Sequence, residues 1–310
     1  MFFEYAKDGL RPVAAEKLGK SRVTVGYVTV DELAALCGTL DFDESTVDAC
    51  RDTSQSFRSG VEVHGNYTFT ELRILNRDED CDDFIALYLR KNLFLVVDID
   101  DRDGSTKAKF DAAVKRYPSD NVCTEKVLYA FLDSLLAGDH AVLESIGDGL
   151  SEQEDALLGE DVGKGFNAEL LMTKKMLSKR YTYYAQLLDI ADAVCENDNG
   201  IFEEANLIYI DNAGKKISRL CEETNSLKST VEHLQDAYSS YLDIKMNQTM
   251  KLFTVLTSIF FPLTIIVGWY GMNFQHMPEF AWRYGYLYVI ALSVVTVCVL
   301  IFLGKRKRWF

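Results

Sequence analysis

LFTVLTSIFFPLTIIVGWYGMNFQHMPEF, residues 252–280, decides how this chain is built. No residue from Leu252 to Pro278 carries a formal charge, and residues 252–270 come close to the roughly 20 needed to cross a hydrocarbon core about 30 Å thick. The apolar run then gives way to a short loop holding a Gly, an Asn, a Pro and one carboxylate, Glu279. A second apolar run, YGYLYVIALSVVTVCVLIFL, follows Arg283 and stops at KRKRWF. Tyr284, Tyr286 and Tyr288 at one end and Trp309 at the other match an aromatic belt.

Two spans with four consecutive basic residues after the second place both termini in the cytoplasm by the positive-inside rule, and the 273–283 loop outside. The N-terminal MFFEYAKDGL has no apolar stretch long enough for a signal peptide, so the soluble part is expected to stay where it was made. The seven scattered cysteines form no C-x-x-C pair and fit reduced thiols in a cytosolic domain.

Charge is unevenly distributed along the 310 residues. From Met246 onward six basic residues face Glu279 alone, a net +5, so with −14 for the whole chain the first 245 residues carry −19. So acidic a body excludes a nucleic-acid partner, which would demand clustered Lys and Arg. It suits cations, or plain solubility.

Stepping back from the loop by fours and threes gives Gly268, Thr264, Phe261, Thr257, Thr254, Met250, Asn247, Asp243, Ser240 and Asp236. These share one helix face, mostly small or polar, whereas Leu252, Val255, Leu256, Ile259, Leu263 and Ile266 lie on the others. A polar face of this kind lines water or mediates helix packing. Its continuation into Asp243 and Asp236 favours a cation path, and two helices enclose no hole, so several copies would have to surround it. Further upstream Ile217, Leu220, Thr224, Leu227, Val231 and Leu234 keep the same spacing. One helix is expected from about Glu203 to Met272, interrupted only by Pro262, which removes one backbone bond.

FPLT at 261–264, YGMNF at 270–274, MPEF at 277–280, the two C-terminal spans and the basic tail together resemble the CorA family of magnesium and cobalt transporters. The close likeness covers residues 236–310. The resemblance implies a homopentamer in the lipid bilayer of the cytoplasmic membrane, with the first transmembrane helices around a central pore. Gly271, Met272 and Asn273 would then form the outer ion-binding mouth, where the Asn273 amide and the Gly271 carbonyl accept hydrogen bonds from the water shell that Mg²⁺ gives up reluctantly. Glu279 would concentrate cations there by charge alone. The gate would fall at Met250, Phe253 or Thr254, and Phe261, and an acidic ring at Asp236.

The same resemblance implies regulatory Mg²⁺ bridging acidic residues of neighbouring subunits. Asp211 on the stalk, beside Asn212, is one candidate. Asp98, Asp100, Asp101 and Asp103 in VVDIDDRD are others, in a run that completes no calcium loop and reads sooner as a solvated turn than as a metal site.

The remaining sequence predicts an α+β membrane protein. Strands are expected in RVTVGYVTV, VEVHGNYTFTELRIL, FIALYL and LFLVVDI, the last two as a hairpin across Arg90-Lys91-Asn92. Thr29 and Glu32 read as a capping box, and helical periodicity takes over from Lys107. The implied organisation is a cytosolic α/β/α domain with a helical extension over 1–200 and a stalk helix over 201–250. A pore-lining helix over 251–272, the outer loop 273–283, a second transmembrane helix over 284–304 and a basic tail over 305–310 complete it.

GEDVGKG at 159–165 is one residue short of a phosphate loop and lacks its Ser or Thr, and no histidine shows metal-ligand spacing. Neither an enzyme, nor a nucleotide partner, nor an organic cofactor is expected. The leading reading is a Mg²⁺ influx channel that also admits Co²⁺ or Ni²⁺, driven by membrane potential and closed by intracellular Mg²⁺. A zinc transporter of the same superfamily, proton-coupled, and a membrane-tethered coiled-coil scaffold without conductance are the alternatives.

Overall fold

The computed structural model describes residues 2–6, 9–14, 18–19, 22–51, 60–76, 82–117, 122–163, 165–272 and 282–306. They form two compact units, Met1–Leu234 and Gln235–Phe310.

The first unit is built on a seven-stranded sheet of order β2-β1-β3-β7-β6-β5-β4. Its strands are β1 (Phe2–Ala6), β2 (Gly9–Pro12), β3 (Thr24–Thr29), β4 (Val61–Val63), β5 (Thr68–Ile74), β6 (Asp83–Arg90) and β7 (Leu93–Asp100). β3 and β7 are parallel, with Val25 opposite Phe94, and every other pair is antiparallel. LFLVVDID reads as a nearly unbroken apolar run because β7 is central and covered on both faces, as such strands must be. The β6–β7 hairpin turns at Asn92, whose φ of 64° is a left-handed value that Asn tolerates better than most residues. Gly26 on β3 is required by close approach, since a Cβ there would sit 2.6 Å from the Phe2 ring.

Helices cover each face. The capping box at Thr29 opens α1 (Val30–Leu40), and α2 (Glu44–Arg51) follows. These two helices bury Leu33, Leu40, Val47 and Cys50 against Tyr67, Phe69, Tyr88, Leu95 and Val97. The Tyr88 hydroxyl donates to Thr46 Oγ1 at 3.0 Å and the Tyr67 hydroxyl accepts the Asp43 N–H at 3.0 Å, so both phenol tips in this cluster are paired. On the other face α3 (Ser105–Lys115) and α4 (Thr124–Leu135) place Phe110 and Phe131 against Phe94, at ring separations of 6.0 and 5.6 Å. Phe131 is fully buried and also meets Phe110 edge-on. Phe131→Ala is expected to destabilise this unit by about 3–5 kcal/mol through cavity formation, read as a lower melting temperature of the detergent-solubilised protein.

Of the helical runs after Lys107, the one over 125–158 divides in two. α4 stops at Leu135; Gly138, at φ 90°, stands at the N-cap of α5 (Asp139–Leu158), and α6 (Phe166–Glu196) follows. A 3-10 turn at Glu204–Asn206 leads into α7 (Leu207–Tyr270), 64 residues or roughly 95 Å at 1.5 Å each. Along its first part Ile217, Leu220, Thr224, Val231 and Leu234 are buried, the 3-4 spacing visible in the sequence. A Cβ on Gly214 would lie 3.6 Å from Ala191 Cβ, so α7 and α6 pack together there.

The second unit holds the remainder of α7 and α8 (Gly285–Arg306). Both helices are long and apolar enough to cross a membrane. Pro262 lies within α7 without ending it. The expected long helix, mixed-sheet domain and C-terminal apolar helix are therefore all present. The structure adds β1, β2 and α2, which the sequence reading left without structure.

Candidate ion path and acidic cluster

Helical geometry puts the polar stripe on one face of α7. Asp236, Asp243, Asn247, Met250, Phe253, Thr254, Thr257, Phe261, Thr264 and Gly268 are all exposed in the single chain. Val255, Ile259, Leu263, Ile266 and Tyr270 are half-buried and mark a different face. A Cβ at Gly268 would meet nothing within 4 Å, so nothing inside this chain demands a glycine there.

The hydroxyls on the stripe share one arrangement. Thr254 donates to the Met250 carbonyl at 2.8 Å, Thr257 to Phe253 at 2.7 Å and Thr264 to Phe260 at 2.8 Å. Each donor is thereby spent on the preceding turn, and the oxygen lone pairs remain as acceptors on the exposed side. Acceptors suit a hydrated cation, whose waters only donate outward.

The helix ends at Tyr270, and Gly271 N–H still donates to the Val267 carbonyl at 2.8 Å. A Cβ on Gly271 would stand 2.9 Å from that same carbonyl oxygen, a distance side chains essentially never adopt. Gly271→Ala must therefore shift the exit of the helix. Met272 is exposed, whereas Asn273 and Glu279 lie outside the described residues. Trp282 stands 6.3 Å from Tyr284 and 6.0 Å from Tyr288, an aromatic cluster at the start of α8.

At the end of β7 the acidic run separates into individual roles. Asp98 accepts the Asp101 N–H at 3.0 Å, and burial raises its pKa. Asp100 pairs with Arg102 at 2.9 Å, and Asp211 on α7 pairs with Lys215 at 2.5 Å. Among the described residues two of the acidic candidates, Asp101 and Asp103, enter a cluster, where their carboxylates lie with that of Asp83, ligand atoms within 4.8 Å of one another.

Asp83 is buried and accepts from Thr106 Oγ1 at 2.7 Å, Ser105 Oγ at 2.9 Å and Asn76 Nδ2 at 2.8 Å. Desolvation raises its pKa against the pull of those two hydroxyls. Asp103 accepts the Ser105 N–H at 2.8 Å, which lowers its own. Asp101 Oδ2 takes the Tyr27 hydroxyl and the Lys107 N–H, while Oδ1 is buried with no hydrogen-bond partner. Carboxylates gathered this closely could meet a divalent cation directly or through part of its water shell. Asp83 escaped the sequence reading because it stands 18 positions before Asp101, and only pairing of β6 with β7 brings it near.

Beside the mixed-sheet domain, the 64-residue helix with its exposed polar stripe and the second apolar helix are both long and apolar enough to cross a membrane. The sequence profile of the CorA-like Mg²⁺ transporter protein family matches residues 23–306, and the chain belongs to that family of divalent-cation transporters. It is 26% identical over 261 residues to the cobalt/magnesium transport protein CorA of Thermotoga maritima, covering 81% of this chain and 73% of that one. It is 38% identical over 95 residues to the magnesium transport protein CorA of Wolinella succinogenes, 31% of this chain and 30% of that one. The solved structure of the CorA magnesium transporter from Methanocaldococcus jannaschii superimposes with a TM-score of 0.77 at 21% identity, over 100% of this chain and 99% of that one.

Proposed function

We propose that this chain forms a homopentameric channel in the cytoplasmic membrane that passes Mg²⁺ inward, with Co²⁺ and Ni²⁺ as further permeant ions. The observation that carries the reading is the exposed stripe on α7, whose hydroxyl donors are all turned inward and whose acceptors face out. Five copies would enclose that stripe as a water-lined path from Asp236 to the mouth at Gly271, Met272 and Asn273. Both termini would lie in the cytoplasm, with the 273–283 loop outside.

No nucleotide need be spent. Each divalent cation entering a negative interior gains about 4.6 kcal/mol per 100 mV, twice the single-charge value. Met250, Phe253 or Thr254, and Phe261 would form the constriction. Phe261→Ala is expected to raise basal flux several-fold in proteoliposomes, whereas an unchanged rate would place the constriction elsewhere.

Intracellular Mg²⁺ would favour closure by occupying acidic residues of the cytosolic domain, with Asp101 supported by its unpartnered oxygen and by Asp83 and Asp103 beside it. Asp98, Asp100 and Asp211 remain candidates for a site completed by a neighbouring subunit. Asp101→Asn is expected to move inhibition by internal Mg²⁺ to roughly tenfold higher concentration, the loss of one charge-assisted contact. Inhibition at the wild-type concentration would remove Asp101 from the sensor. Flux measured with Zn²⁺ and Mg²⁺ in competition, with and without a pH gradient, separates this reading from a proton-coupled zinc transporter. A monomeric or dimeric particle would instead favour a scaffold.

A further inference from the structure

Between β5 and α6 lies a groove of about 580 Å³ whose wall carries Arg73, Lys175, Lys179 and Arg180, beside Met172 and Met176. Four cations around one groove, Arg73 from β5 and three from α6, stand out in a body whose first 245 residues carry −19. Lys175 and Lys179 are four residues apart on α6, an arrangement of like charges that weakens a helix unless something offsets it. Asp82 offsets part of it. Its side chain, 5% exposed, pairs with Lys179 at 2.8 Å and accepts from Arg73 Nε at 2.6 Å, while Arg73 also lies over the Phe84 ring.

The other two cations are not offset in this way. Arg180 reaches Asp139 only at 3.8 Å, and its Nε is buried with no hydrogen-bond partner. Lys175 is exposed and makes no ion pair among the described residues. A buried guanidinium N–H with nothing to donate to is costly, and a planar fork of donors beside an ammonium matches a phosphate group. The volume is within the range of small-molecule sites and holds more than a single phosphate.

We propose that this groove binds a di- or triphosphate anion, with Arg180 and Lys175 as its contacts and Asp82 as the residue that positions Arg73 and Lys179. The oxyanion meets the exposed Lys175 ammonium beside the Arg180 guanidinium, while Lys179 keeps its pair with Asp82. The two methionines give the groove an apolar side, so the same phosphate chemistry accommodates free polyphosphate or a nucleotide.

The test is equilibrium dialysis of labelled pyrophosphate against the full-length protein in detergent, stripped of metal with EDTA so that chelation plays no part, at about 0.15 M salt. Saturable binding of one anion per chain is expected. Lys175→Glu, at an exposed position where folding is not at stake, should weaken it at least about tenfold, and Lys175→Arg should retain it. Asn273→Ala should bind as the wild type does, which keeps this result separate from the fate of the pore reading. ATP competing more tightly than tripolyphosphate would support the proposal with a base on the methionine side, and equal competition would support it with free polyphosphate as the ligand. No saturable binding at about 1 mM pyrophosphate, or equal binding by Lys175→Glu, would overturn it.

Discussion

Asn273→Ala is expected to lower Mg²⁺ flux close to a hundredfold while the protein still inserts, assembles and melts as the wild type does. The residue follows the end of α7 in a loop with no formal charge before Glu279. Its proposed role is to hold water of the hydrated ion through an uncharged amide oxygen. A neutral hydrogen bond contributes about 0.5–1.5 kcal/mol net. Five symmetric copies would together lose at least roughly 2.5 kcal/mol of ion stabilisation at the mouth, which approaches a factor of 100. Asn273→Asp should fail differently, binding the ion more tightly and releasing it more slowly, because conduction needs sites weak enough to leave. The check is uptake of Mg²⁺ by proteoliposomes normalised to inserted protein. Equal rates in wild type and Asn273→Ala would take the mouth away from this loop.

The second large effect is expected from Thr257→Lys. Thr257 is exposed on the stripe of α7, within an apolar stretch whose flanking formal charges are Lys251 and Glu279. A divalent ion passing about 5 Å from a single ammonium at an effective dielectric constant near 20 is opposed by roughly 6 kcal/mol, and a ring of five raises the barrier further. Flux should fall below detection while Thr257→Ser, which keeps the outward acceptor, conducts as before. The proposed pentamer should persist, since ammonium groups lining water need not be desolvated. If Thr257→Lys falls apart into monomers instead, the stripe is a packing face, as small and hydroxylated residues often are in membranes.

Much of this was legible because the membrane imposes periodicity and length at once. An uncharged run followed by a polar loop and a second run admits few readings, and the 3-4 spacing upstream of Leu234 is the spacing of the buried residues on α7. The capping box at Thr29 and the β6–β7 hairpin were equally local signals. What escaped depends on distance along the chain. β1 runs antiparallel to β3 some twenty residues away, and FFEYA carries no alternation to announce it. The helix break at Gly138 needed a left-handed backbone that a glycine permits without requiring it. Among the acidic candidates, Asp98 and Asp100 serve the turn after β7, and only the pairing of β6 with β7 brings Asp83 to Asp101.

The most direct measurement is Mg²⁺ uptake by liposomes holding the purified wild-type chain, with an inside-negative potential imposed and no pH gradient. Uptake is expected to rise with the imposed potential and to cease when the potential is collapsed. No uptake at any potential, or uptake that appears only with a pH gradient, would contradict a potential-driven divalent-cation channel.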